Sequence, residues 1–292
     1  MTKVWGPVLG LLANAMVFGL SWWPFQAMQA RGLHPLWATA FMYGLALALI
    51  HCIKPMRLAV WREHPPLVWL FMGSGLTNLC FNWAVTQGDV VRVVLLFYTM
   101  PAWSIVLAWW LLQERPGRGS LIRLALAILG VSLVLKTPDT PWPMPQSLND
   151  YLALAGGAGF ALNNVMLRKL SFLPESDRMV AMFSGGTVMT AMAAWVCMPL
   201  GLVTFPTDLT WWPYALGLAL CILCSNLSLQ YGAARLPAHT TALVMLSEIV
   251  FATVSSVALG VASLDGRKAL GGLLIVSAAI LATIDAGEKE SA

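Results

Sequence analysis

Asn78-Leu79-Cys80-Phe81-Asn82 carries two amides one helical turn apart in an apolar part of the chain. The same spacing recurs 148 residues later, in Asn226-Leu227-Ser228-Leu229-Gln230. Because the apolar spacers recur together with the amides, the pattern predicts two copies of one membrane unit. Paired repeats in a membrane chain are typical of secondary transporters, whose binding site lies between the copies.

The composition of the chain indicates a membrane protein. Hydrophobic residues make up 59% of the 292 residues, charged residues 10%, and the mean hydropathy is +0.74. A helix needs about 20 mostly apolar residues to cross the hydrocarbon layer, and the apolar runs lack the alternation of a membrane β-barrel. We predict an all-α polytopic membrane protein with ten transmembrane helices. Their ranges are 6–30, 34–53, 66–87, 90–112, 120–136, 149–171, 178–200, 210–234, 238–260 and 266–284.

The first of these stretches has some features of a signal peptide, since Lys3 precedes an apolar run that contains Ala13-Asn14-Ala15. The apolar run continues to Phe25, well past such a cleavage site. We expect it to be the first helix, because without it the second half of the chain would lack a matching partner.

The distribution of Lys and Arg predicts the orientation, because cytoplasmic loops are enriched in these residues. With a cytoplasmic N-terminus, twelve of the seventeen basic residues fall on the inside, so we expect both termini in the cytoplasm. The net charge of +4 then reflects topology and indicates no nucleic-acid partner. The twelve residues are Lys3, Lys54, Arg57, Arg62, Arg115, Arg118, Arg123, Arg168, Lys169, Arg178, Arg235 and Lys289.

A proline-rich connector divides the chain. Thr137-Pro138-Asp139-Thr140-Pro141-Trp142-Pro143-Met144-Pro145 contains four prolines, which exclude regular helix and favour an extended backbone. The predicted organisation is a five-helix repeat over 1–136, a periplasmic linker over 137–148, and a second five-helix repeat with a short cytoplasmic tail over 149–292. Because five is odd, the second copy enters the membrane from the opposite side, which gives inverted repeats suited to alternating access.

Motifs at the fourth and fifth helices resemble a known family. Tyr98-Thr99-Met100-Pro101, then Glu114 and Gly130, are similar to the EamA repeat of the drug/metabolite transporter superfamily. In the second copy Ile249 replaces the proline and Ala262 the glutamate, although Glu248 echoes a glutamate often seen there. Within the superfamily the chain is most similar to aromatic amino acid exporters of bacterial inner membranes. That resemblance implies export of aromatic amino acids and related compounds through a central cavity.

Glu248 is the one acidic residue of the sequence that falls in the middle of a predicted helix. An ionisable group at that depth is costly unless it is paired or hydrated, so it is a candidate functional residue. Three roles stay open: contact with the substrate or a gate, proton coupling, and a structural tie to Ser247 or Asn226.

Six amides in apolar segments are predicted to point inward, because lipid would leave their donors and acceptors unsatisfied. Facing inward, they either bridge helices or line a weakly polar chamber between the halves. Phosphate esters are unlikely cargo, since every Lys and Arg lies in a loop or near a helix end. The candidate hydrogen-bonding residues are Asn78, Asn82, Asn163, Asn164, Asn226 and Gln230.

Aromatic side chains away from the helix ends are candidates for stacking on a flat apolar substrate. We select Tyr98 and Trp103 for this role, with core packing or lipid contact as the alternative for each. Cys221 and Cys224 lack the further ligands of a zinc site, and the sequence contains no phosphate-binding loop. We therefore expect no metal, no cofactor and no enzyme activity. The candidate gating residues are Trp22, Pro24, Phe81, Pro101 and Met245.

The sequence therefore predicts a secondary transporter that exports aromatic amino acids and related small metabolites across the bacterial inner membrane by alternating access. Its expected partners are a small-molecule substrate and the lipid bilayer. The oligomeric state stays open, and a monomer is compatible with the sequence. One alternative is efflux of lipophilic cations or other small metabolites, with Glu248 as the cation acceptor. Another is a membrane scaffold that transports nothing.

Overall fold

The computed structural model describes residues 2–53, 58–87, 90–135, 145, 147–260 and 266–291. All regular structure in these ranges is α-helical. Lys54, Arg57, Lys136, Ala262 and most of the proline-rich connector lie outside the described residues. The helices are α1 (Thr2–Leu20), α2 (Trp22–Gln29), α3 (Pro35–Ile53), α4 (Leu58–Glu63), α5 (Leu67–Gln87), α6 (Val90–Phe97), α7 (Met100–Leu112), α8 (Arg118–Leu135), α9 (Leu148–Lys169), α10 (Glu175–Cys197), α11 (Trp212–Ala233), α12 (Ala238–Met245), α13 (Ser247–Ala258) and α14 (Gly266–Ser291).

Each predicted apolar stretch coincides with one or two of these helices, and α4 falls between two stretches. Five spans in the described ranges are long and apolar enough to cross a membrane. The chain is thus an all-helical, multi-pass membrane protein, and the count of ten crossings stays a prediction. The five spans are Trp5–Gln29, Pro35–Cys52, Glu175–Cys197, Trp212–Ala233 and Ala238–Ala258.

The first predicted helix is interrupted at Ser21, between α1 and α2. Pro24 has no N–H to donate to the carbonyl of Leu20, so the regular hydrogen-bond ladder stops there. The Ser21 hydroxyl donates to the Phe18 carbonyl oxygen at 2.7 Å, which satisfies one acceptor at the interruption. A proline that the sequence marked as a gating candidate therefore has a local structural effect.

A capping box starts α9 directly after the proline-rich connector. The backbone N–H of Asp150 donates to the Ser147 hydroxyl at 3.3 Å, and the Ser147 N–H donates to the Asp150 carboxylate at 3.0 Å. This reciprocal pair satisfies two backbone N–H donors at the start of the helix. The helix begins at Leu148, one residue before the predicted start of the second repeat.

Small residues bring several helices into close contact. A Cβ added at Gly73 of α5 would lie 2.9 Å from the backbone nitrogen of Asn163 in α9, so these two backbones touch directly. Such close approach is how membrane helices gain packing energy without a hydrophobic driving force. The closely packed pairs are α5 with α9 and α10, α1 with α11 and α13, α3 with α10, α7 with α9, and α8 with α14.

Candidate functional site

Two interrupted helices meet in the interior, and their interruptions lie 148 residues apart, the spacing of the amide pairs. The first lies between α6 and α7, and the second lies between α12 and α13. Thr99 donates its hydroxyl to the Leu96 carbonyl oxygen at 2.7 Å. Ser247, 148 residues later, donates to the Val244 carbonyl oxygen, also at 2.7 Å. A hydroxyl therefore closes each break with a bond of the same kind.

The first break follows from Pro101, which has no N–H for the carbonyl of Phe97. That carbonyl lies against Gly157 of α9, where an added Cβ would be 2.6 Å from its oxygen. Only glycine fits at this crossing. The second break has Ile249 in place of the proline, and the Ile249 N–H donates to the Leu246 carbonyl oxygen at 3.1 Å. This bond spans three residues instead of four, so a local change in hydrogen bonding accompanies the second break where a proline accompanies the first.

Tyr98 and Glu248 connect the two breaks through a hydrogen bond between their side chains. Tyr98 is buried, whereas Glu248 is partly exposed. Glu248 lies in the first turn of α13, where the helix dipole favours a negative charge. Gly19 of α1 packs on its backbone, since a Cβ there would lie 2.7 Å from the Glu248 carbonyl oxygen. The sequence had offered Ser247 or Asn226 as tie partners, and the observed partner is Tyr98.

Aromatic rings form a continuous cluster beside Tyr98. The Phe97 ring lies 4.5 Å from that of Phe81, 5.6 Å from that of Tyr98 and 6.1 Å from that of Phe160, measured between ring centroids. These rings come from α5, the end of α6, the first break and α9. The sequence predicts Phe81 and Tyr98 as candidates but not Phe97 and Phe160, because no pattern separates those two from ordinary core residues. Together with Glu248, the cluster offers an apolar wall and one carboxyl group.

The other aromatic and gating candidates are dispersed. Trp103 does not join the cluster, because it is 38% exposed on the outer face of α7 together with Val106. Trp22 donates its indole N–H to the Ser255 hydroxyl at 3.1 Å and so ties the start of α2 to α13. Met245 is buried at the end of α12, immediately before the second break.

The amides of the first half face α3 and remain partly exposed. Asn82 donates to the Thr39 hydroxyl at 2.6 Å. Asn78 donates to the Ser74 carbonyl oxygen at 2.8 Å and is hydrogen-bonded to the Tyr43 side chain. Both amides thus bridge helices while part of their surface stays accessible.

The amides of the second half are buried. Gln230 donates to the Asn226 side-chain oxygen at 2.9 Å, and Asn226 donates to the Met182 sulfur at 3.8 Å. Asn163 and Asn164 of α9 are buried as well. In the part of the chain that the structure describes, the side-chain nitrogen and oxygen of Asn164 have no hydrogen-bond partner. The side-chain oxygen of Asn163 has none there either.

Arg168 joins three helix ends at one end of the bundle. Its guanidinium lies 3.6 Å from the Glu114 carboxylate, beyond α7, and donates to the Ala234 carbonyl oxygen, beyond α11, at 2.9 Å. We refer to these contacts as the Arg168 bridge. In the sequence, Arg168 contributes only to the predicted orientation. Within the described ranges, no group of three or more His, Cys, Asp or Glu side chains is arranged to hold a metal ion.

Comparison with known proteins agrees with a transporter. The EamA-like transporter family matches residues 5–136, the first of the two predicted repeats. An uncharacterized transporter of Helicobacter pylori is 23% identical over 256 residues, covering 84% of this chain and 83% of the relative. A protein of known crystal structure is similar in fold, with a TM-score of 0.77 at 18% identity over 96% of this chain and 98% of its own. These matches support a membrane transporter whose residues 5–136 are similar to the EamA-like transporter family.

Proposed function

We propose that this transporter exports aromatic amino acids and related small metabolites from the cytoplasm to the periplasm across the bacterial inner membrane. The proposal combines the family match with the resemblance of the sequence to the aromatic amino acid exporter YddG. In this proposal both termini are cytoplasmic, so the Arg168 bridge lies on the cytoplasmic side.

The proposed architecture is ten crossings in two inverted repeats, 1–136 and 149–292. Its support is that the main helix contacts each have a counterpart when every helix is replaced by the corresponding helix of the other half. The contact of α5 with α9 corresponds to that of α11 with α1, and α3 with α10 and α8 with α14 each correspond to themselves. The equivalent hydroxyl bonds at the two breaks add local support. Such a pseudo-twofold relation gives the two halves equivalent ways to close.

The contact between Tyr98 and Glu248 carries the substrate assignment. A carboxylate at a helix N-terminus is a suitable acceptor for the ammonium group of an amino acid, and Glu248 is partly exposed. The adjacent rings of Phe81 and Phe97 offer faces or edges on which an aromatic side chain can stack. The site has the two features that an aromatic amino acid needs, a charge partner for the head group and an apolar wall for the ring.

Counterflow in liposomes tests the proposal. Protein reconstituted with unlabelled tryptophan inside is expected to accumulate labelled tryptophan, and phenylalanine and tyrosine should compete. Glu248→Gln should lower the exchange rate by tenfold or more, because the ammonium loses a charged partner worth more than 1.4 kcal/mol. The matched control is Trp103→Leu, a change on the outer face of α7 that should leave exchange within about twofold.

Efflux of lipophilic cations is the second candidate function, and a carboxyl beside aromatic rings also suits a cation. A labelled lipophilic cation in the same liposomes separates the two. Exchange of the cation without competition from any amino acid would replace the proposed substrate class. Absence of exchange for both classes would favour a scaffold that transports nothing.

A further inference from the structure

Three fully buried polar side chains lie on the Arg168 side of the Tyr98–Glu248 contact. Ser104 of α7, Asn164 of α9 and Thr241 of α12 are each 0% exposed. Among the described residues, no hydrogen-bond partner reaches the Ser104 hydroxyl, the Thr241 hydroxyl or either amide atom of Asn164. Unpaired buried groups of this kind call for a ligand or water.

The direction of α7 and α9 brings two of these residues to one level. The helices run in parallel, because Phe97 before α7 contacts Gly157 in α9 and the Arg168 bridge joins both helix ends. Ser104 lies seven residues beyond Phe97, and Asn164 lies seven residues beyond Gly157. The two polar groups therefore lie within about one helical turn of each other in depth.

The third residue reaches this level from the opposite direction. Ala238 of α12 packs with Ala108 of α7 and Val165 of α9 in a small apolar cluster. One turn deeper from that cluster, α7 contributes Ser104 and α12 contributes Thr241. In α9, Asn164 directly precedes Val165 of the cluster. Three helices thus supply a polar layer that lies against the apolar cluster, on the side away from the Arg168 bridge.

The chemistry of this layer fits an anionic or carbonyl group. Two hydroxyls and one amide supply hydrogen-bond donors on three sides. Each buried polar group without a partner costs about 1 to 3 kcal/mol. An alanine or valine at the same position would fill the space without this cost. Three such groups within about one helical turn are better explained by a ligand that binds there in another state of the transport cycle.

We propose that Ser104, Asn164 and Thr241 form a cytoplasmic loading subsite that binds the carboxylate of the amino acid before the ammonium reaches Glu248. Six residues separate Tyr98 from Ser104, so the subsite lies roughly 9 Å from the central contact. Opening of the Arg168 bridge and the apolar cluster exposes the subsite to the cytoplasm, and their closure seals it. This inference rests on the proposed function.

Thiol labelling tests the subsite without relying on transport by the variant. The five native cysteines are first replaced by serine or alanine, and Ser104→Cys and Thr241→Cys are made in that background. A small hydrophilic thiol reagent is added from the cytoplasmic side of inside-out vesicles, with and without tryptophan. Both cysteines should react, and saturating tryptophan should slow the reaction at least fivefold. Val106→Cys, on the outer face of α7, is the control and should resist the reagent in lipid.

The outcomes separate the subsite from the proposed function. Reaction that tryptophan does not slow would mean that the layer holds only water, and absence of reaction would mean that it never opens; either result overturns the subsite. Tryptophan counterflow by the unsubstituted protein is measured in parallel, and its absence would overturn the proposed function as well. In addition, Thr241→Val should raise KM for cytoplasmic tryptophan about tenfold. Thr241→Ser keeps the hydroxyl and should leave KM near the value of the unsubstituted protein.

Discussion

In α5, Asn78 and Asn82 bond to neighbours that include side chains of α3 and remain partly exposed, whereas in α11 Asn226 and Gln230 bond to each other and are buried. The neighbouring helices explain part of the difference. Tyr43 of α3 is hydrogen-bonded to Asn78, and the residue 148 positions later is an alanine in α10. Equal amide spacing in the two halves therefore leads to unequal surroundings: the first pair bridges to α3 and stays accessible, and the second pair is buried and bonds within α11.

The two helix breaks also differ in how closely a neighbouring helix packs on them, and the first break depends on a single residue, Gly157 of α9. Gly157→Ala should cost about 3 kcal/mol, because its Cβ would press on the Phe97 carbonyl oxygen. Leu9 occupies the equivalent position of the other half and is 61% exposed, so Leu9→Ala should change stability by less than about 0.5 kcal/mol. Thermal unfolding in detergent measures both. Similar losses would mean that the breaks are packed alike.

The buried amide pair should matter mainly for stability. Gln230→Ala removes a fully buried side chain and its bond to Asn226, with an expected cost of about 2 kcal/mol. Asn82→Ala should cost less than about 1 kcal/mol, because its surroundings are partly accessible to solvent. Denaturant unfolding of the two variants provides the comparison, and Gln230→Met should recover most of the lost packing. A larger loss at Asn82 would reverse the assigned roles.

The accessible amide pair should matter mainly for transport. Asn78→Leu is expected to lower tryptophan exchange about tenfold, or 1.4 kcal/mol, while thermal stability changes little. Asn226→Leu should lower the unfolding temperature and keep exchange per folded molecule within about twofold. Counterflow normalised to folded protein measures the difference. Equal losses of exchange would show that the halves contribute equally to the path.

His34 provides the smallest test, and it concerns a position where the halves have diverged, since Met182 stands 148 residues later. The His34 imidazole accepts a hydrogen bond from the Leu36 N–H at 3.2 Å, at the start of α3. Burial lowers the pKa of this imidazole from 6.5. Folding therefore favours the neutral form, and its contribution is present above pH 6.5 and is lost as the pH falls through the lowered pKa.

The unfolding temperature at pH 7.5 and at pH 5 tests this expectation. The unsubstituted protein should lose slightly more stability on acidification than His34→Asn, in which a residue that does not titrate can accept the same bond. An identical loss in both proteins would leave the His34 contact without a measurable pH effect.

The sequence by itself determined the class of protein and the positions of its helices. Apolar length and the need to satisfy the backbone within lipid are local properties, so hydropathy located the helices closely. Local chemistry also explains the interruptions near Pro24 and Pro101, since each proline removes a backbone donor wherever the surrounding helix lies. The amides were expected to avoid lipid, and their side chains are at least partly buried.

Only the tertiary structure decided which side chains meet. The Tyr98–Glu248 contact, the Phe97 and Phe160 rings and the polar layer around Asn164 depend on how helices cross after 60 to 150 residues of intervening chain. Helical periodicity assigns a residue to a face, but it does not specify the neighbour that the face meets. That choice follows from close packing at small residues such as Gly157, where one missing Cβ fixes the distance between two backbones.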